Sequence, residues 1–132
     1  MRSACALLAL LLPLLASAFG QNKVQYDHKV WRFIESQWFD VYYYQGGYDQ
    51  AVFTAQVADS AYQQLSRDFD WELPDNERIV IITYQSHNDF ANTNVSSGLV
   101  EESVGGFTEF FKNRVVIPFQ GSWEDYRHVI QH

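Results

Sequence analysis

Apolar positions along this 132-residue chain recur on several periods, and each change of period marks a change of element. An apolar run from Ala4 to Leu15 follows Arg2 and ends at Ala16-Ser17-Ala18. Val30-Trp31-Arg32-Phe33-Ile34 reads as a first strand. Trp38 to Tyr44 reads as a second, rich in the aromatics that suit a pleated surface, and Gly46-Gly47 ends it. The period then lengthens. Val52, Ala55, Ala58, Tyr62, Leu65 and Phe69 recur every three or four residues, which predicts a helix capped by Asp49 and running to about Phe69, with that stripe buried. Leu73-Pro74-Asp75-Asn76 predicts a turn. The unbroken run Ile79-Val80-Ile81-Ile82 predicts a central strand covered on both faces.

The remaining segments are shorter. Ser86 with Asp89 three residues later is a capping box for a short helix over about 87–93. Asn94 to Val104 reads as a loop, and Asn94-Val95-Ser96 fits the N-glycosylation pattern, which matters only in a eukaryotic secretory route. Gly105 to Phe111 and Arg114 to Phe119 read as a hairpin turning at Lys112-Asn113. Ser122 and Asp125 form a second capping box, with Trp123, Tyr126, Val129 and Ile130 on one face of the helix that follows. No Gly, Pro or charged tail stops that helix before His132, so it is expected to be cut short. The elements together predict an α+β fold: a small mixed sheet with packed helices.

Composition sharpens the picture at two points. A charged start, a short apolar run and a small-residue site are the three parts of a secretory signal peptide, here residues 1–18. The run is too short to span a hydrocarbon core of ~30 Å, and no later stretch is long and apolar enough to do so. The chain is therefore expected to be exported, with no transmembrane segment after cleavage. Removing 18 of 132 residues leaves 114, about one small domain. The single cysteine, Cys5, leaves with the signal, so residues 19–132 build their core without disulfides. An aromatic share of 17% argues for a packed domain and against disorder. Formal charge is −7, and −8 once Arg2 is lost; the acidic residues are spread out and no basic patch is present, which argues against nucleic acid as a partner.

Candidate chemistry lies at the C-terminal end. His128 and His132 stand four apart on one helix face, where both imidazoles could meet one ion. A zinc-peptidase helix carries His-Glu-x-x-His, with the glutamate as general base. Here Val129 follows His128, so this pair could bind metal but lacks the base. On the spacing alone, two partly exposed helix histidines with no ligand role are the commoner arrangement, since no third ligand is visible; a complete chain that uses the pair for some metal is a further reading. His28 and His87 have no partner at ligand spacing.

Three segments carry a resemblance: Gly105-Gly106-Phe107-Thr108-Glu109, then Lys112 to Phe119, then Asp125-Tyr126-Arg127-His128-Val129-Ile130-Gln131-His132. With Trp38-Phe39-Asp40-Val41-Tyr42-Tyr43, they resemble the N-terminal part of a bacterial exported family that joins a peptidase-MA-like gluzincin domain to a Tol-type β-propeller. The resemblance implies a zincin-like N-terminal subdomain over residues 19–132, continuing beyond His132. It implies zinc as cofactor, with His132 as first ligand of a His-Glu-x-x-His motif and His128 as a flanking residue. It implies a peptide or protein partner, with Gly106, Phe107 and Thr108 in a strand beside the cleft that pairs with the substrate. It implies a β-propeller downstream in the same chain, and a location in the periplasm, at the outer membrane surface or outside the cell. The base, the second histidine and the third ligand are missing from residues 1–132, so the chain as given is expected to be inactive. The alternative is a non-catalytic exported binding or scaffold module associated with the propeller.

Overall fold

The computed structural model describes residues 28–93 and 103–132. Residues 1–18, read above as a signal peptide, and the Asn94-Val95-Ser96 triplet lie outside the described residues. Five strands make one mixed sheet: β1 (Arg32–Glu35), β2 (Phe39–Tyr43), β3 (Ile79–Tyr84), β4 (Phe107–Glu109) and β5 (Arg114–Pro118), in the order β1-β2-β3-β5-β4. β2, β3 and β5 are parallel, while β1 and β4 lie antiparallel at the two edges. Among the described residues three helices complete the α+β fold: α1 (Tyr48–Phe69), α2 (His87–Ala91) and α3 (Trp123–Gln131). Helix α1 carries the chain from β2 to its parallel neighbour β3, a crossover that parallel strands require.

Successive strand residues point to opposite faces, and this divides the core in two. On one face Phe39, Val41, Ile81 and Ile117 pack against Ala51, Ala55, Ala58 and Tyr62 of α1 and Tyr126 of α3. On the other, Tyr44, Tyr84 and Val116 surround Phe90, the one buried residue of α2. Helix α3 is tied to α1 through Tyr126, whose hydroxyl accepts from Gln50 Nε2 at 2.9 Å and lies 2.9 Å from Thr54 Oγ1. Burial pushes the Tyr126 pKa up, which keeps that hydroxyl protonated and able to donate. This polar contact inside an apolar interface fixes how α3 is rotated, and with it where His128 and His132 point.

Several expectations need correcting. Asp49 does not cap α1: Gly47 is the N-cap residue, without a side-chain bond, and Asp49 sits in the first turn, where its charge complements the helix dipole. Leu65 and Phe69 are 47% and 75% exposed rather than buried. The cause is length. At 22 residues α1 is about 33 Å long. The six residues of β3 span about 20 Å, so the last turns of α1 outrun the sheet. Strand β3 is central, but Val80 and Ile82 are only half-buried, because α2 covers one end of that face. Strand β4 stops at Glu109; Phe110–Lys112 is a single 3₁₀ turn, closed by Asn113 at φ 47°, and it leaves Phe110 and Phe111 in solvent. Both serines cap their helices as expected, with Ser86 Oγ accepting from Asp89 N–H and Ser122 Oγ from Asp125 N–H.

A polar cluster locks the segment before β1 onto α2. Lys29 Nζ meets Asp89 Oδ1 at 2.9 Å and lies 4.6 Å from the Tyr44 ring centre, while the Tyr44 hydroxyl donates to Asp89 and accepts from Gln85 N–H at 2.9 Å. Burial and the Asp89 carboxylate push the Tyr44 hydroxyl far up, so it stays a donor. Burial also pushes the Asp89 carboxyl up, but hydrogen bonds from Tyr44 and Lys29 outweigh it and hold the group below its ordinary 3.8. A carboxyl depressed in the folded state stabilises above its unfolded pKa and loses that contribution as pH falls through the folded one. Asp89→Asn is therefore expected to cost about 1–3 kcal/mol at pH 7. The gap from the parent should shrink steadily below pH 3.8. Urea unfolding at a series of pH values checks this; a gap that is constant with pH would show that the ion pair contributes nothing.

Candidate functional site

Where α1 outruns the sheet, an open groove of about 800 Å³ remains between its last turns, the sheet and α3. Ile81, Val115 and Ile117 form the floor. Leu65, Phe69 and Trp71 line the α1 side, and His128, Val129, Ile130 and His132 the α3 side. Gly105, Gly106, Phe107 and Thr108 close the groove along β4. The lining is mainly aliphatic and aromatic, as ligand grooves usually are. Trp71 is held in place by its own N–H, which donates to Ser66 O at 3.1 Å, and by the next turn, where Leu73 N–H donates to the Tyr62 hydroxyl at 2.7 Å.

The residues that the sequence singled out come together here. His132, Gly106, Phe107 and Thr108 line one groove, with His128 beside them. The two imidazoles are in edge contact, with ring centres 5.5 Å apart and planes at 88°. Among the described residues β4 pairs with β5 alone, so its outer edge offers backbone N–H and C=O groups to an added strand. Phe107 anchors that strand by stacking on Phe90 at 5.2 Å. Gly106 lets it approach: a Cβ there would stand 2.8 Å from the Val116 carbonyl oxygen. At the strand's other end Glu109 bonds Arg114 and Lys112; chiefly through Arg114, its carboxyl is held below the ordinary carboxylate value.

Sequence reasoning missed the α1 side of the groove. Leu65 and Phe69 were read as core, and Trp71 carried no role. The available signal was the alternation of acid and aromatic in Asp68-Phe69-Asp70-Trp71-Glu72, a pattern that fits neither a buried helical stripe nor a plain polar surface.

Zinc is the metal implied by the resemblance. His128 and His132 bring two donors to one helix face, and among the described residues no third His, Cys, Asp or Glu joins them. Two donors are half of a tetrahedral set, so these residues do not by themselves fit a zinc centre, and no hydrolytic step follows from them. Comparison with protein-family models, with curated proteins and with solved structures gives no match.

Proposed function

We propose that this chain is the peptide-binding part of an exported zinc-metallopeptidase-like protein. An extended peptide adds to the free edge of β4 and lays alternate side chains into the groove. One observation carries the reading: Phe107 and Thr108 of the edge strand, Gly106 just before it and the α3 histidines line the same apolar groove. His132 is the first zinc ligand in this reading, and the base and remaining ligands follow it in the parent protein. In this reading residues 1–132 alone cleave no peptide, since the base, the second histidine and the third ligand are not among them.

Two measurements test the two halves of this proposal. Amide exchange of the mature chain, with and without a peptide of alternating leucine and threonine, is expected to slow at residues 107–109. Unchanged exchange there at saturating peptide would overturn strand addition. The reading frame after His132 is expected to encode Glu-x-x-His, and its absence overturns the peptidase reading. The second reading is a non-catalytic exported module beside a β-propeller, supported by an apolar groove beside which, among the described residues, no group of three metal donors assembles.

A further inference from the structure

The hairpin tip beyond β4 carries two large side chains that the fold does not use. Phe110 keeps 89% of its full exposure and Phe111 all of it. The tip is nonetheless held in one shape. Its 3₁₀ turn is closed by Asn113, whose N–H donates to the Phe110 carbonyl at 3.3 Å and whose own carbonyl accepts from Val80 N–H at 3.4 Å. Glu109 ties Lys112 and Arg114 together across the base of the turn. A rigid knob with two bare rings loses little freedom when it docks. It begins two residues past Thr108, which is exposed and sits on the strand edge that is free among the described residues.

One partner covers both the edge and the tip. A second β4, laid antiparallel along that edge with a twofold axis at Thr108, sets Thr108 opposite Thr108, Phe107 opposite Glu109 and Gly106 opposite Phe110 of the second copy. Centring the pair on Glu109 instead would set two carboxylates directly opposite each other, which is unfavourable. In the Thr108 register each tip passes Gly105 and Gly106, which have no side chain in its way, and reaches the groove that these two glycines, Thr108 and His132 line. The area is sufficient. A buried aromatic side chain covers roughly 200 Å², so the two rings of one tip supply roughly 400 Å². In a pair related by a twofold axis each copy buries its own tip and the wall that receives the other tip, roughly 800 Å² per copy, which is what a specific stable interface needs. We infer that β4 and the Phe110–Phe111 tip are a self-association surface whose partner is a second copy of this chain. The sheet then runs through both copies, five strands from each. This pairing goes beyond the peptide-binding reading and stands without it; where both hold, peptide and second copy exclude one another from the edge.

Sedimentation velocity of the mature chain over a range of concentrations tests this. At about 100 μM most of it is expected to run as a dimer, since interfaces of this area bind with micromolar Kd or tighter. The combined variant Phe110→Ser, Phe111→Ser is expected to weaken the dimer by about tenfold or more. Its melting temperature should stay within a few degrees of the parent, because both rings are exposed in the single copy. Residues 19–132 hold no cysteine, so Thr108→Cys introduces a single thiol. Its twin lies about 5 Å away across the axis, Cα to Cα, and mild oxidation should link the two copies. Ser60→Cys, exposed on α1, should stay unlinked. A monomer at every concentration overturns the inference; if that monomer floats with phosphatidylcholine vesicles through Phe110 and Phe111, the tip serves a lipid surface instead. A dimer that survives both serine substitutions, or that leaves the Thr108→Cys thiol unlinked, overturns it as well, because the copies then meet elsewhere.

Discussion

Phe90→Ala is expected to cost about 3–5 kcal/mol, a large share of the roughly 5–15 kcal/mol that holds a domain of this size together. The ring is fully buried. It touches Phe107 at 5.2 Å, His87 at 5.7 Å and Tyr84 at 6.1 Å between centroids. Helix α2 has five residues, too few to be stable alone, and Phe90 is its only buried side chain. The loss should therefore appear in two measurements. The melting temperature should drop by roughly 15–35 °C. In the remaining native population, amide exchange at residues 107–109 should accelerate, because Phe107 loses its stacking partner. Phe90→Leu should show both effects at reduced size. A melting temperature within a few degrees of the parent would mean that α2 does not support the second core.

Gly106→Ala is expected to damage peptide binding more than stability. The new Cβ would stand 2.8 Å from the Val116 carbonyl oxygen, a backbone atom that cannot swing aside as a side-chain end would. Val116 is fully buried, and its strand is paired with β3 on the other side, so β4 must give way. Overpacking of this kind costs about 1–3 kcal/mol. Affinity for the extended peptide should fall by about tenfold or more, since the added strand needs β4 in place. Gly105→Ala is the comparison: its Cβ would meet Val129 Cγ2 at 3.2 Å, a side-chain contact that can relax, so the loss should be smaller. Equal effects at the two positions, measured by peptide titration and melting temperature, would show that close approach at Gly106 does not set the edge.

Legibility followed the range of the forces involved. The caps at Ser86 and Ser122 were readable because each depends on residues three apart. Helix α1 was readable from its period, and its end at Phe69 agrees with the structure. Its start was misread: Asp49 is a good capping type, but the chain turns at Gly46-Gly47, and Ala51 N–H bonds the Gly47 carbonyl at 3.0 Å. The tip of the hairpin was misread for a similar reason. Phe110 and Phe111 have strand propensity, yet the left-handed Asn113 closes a 3₁₀ turn around them. Propensity is a weak prior against a turn that backbone geometry imposes.

The candidate site divides the same way. The resemblance singled out His132 and Gly106–Thr108, and the structure brings these residues and His128 to one groove. The groove itself was not legible. It exists because α1 is about 33 Å long and β3 about 20 Å, and no local pattern compares the lengths of two elements.

The sequence by itself determined where most of the helices and strands lie, two of their caps and the absence of cysteine from residues 19–132. Those properties come from residues within a few positions of one another. Only the tertiary structure decided the order β1-β2-β3-β5-β4, which leaves β4 at an edge and sets Gly105 against Val129 of α3. Strand order and helix placement depend on contacts between residues far apart in the chain, made where two apolar faces happen to fit. That is also why Phe69 and Trp71, ordinary aromatics in the sequence, turned out to line an open groove rather than a core.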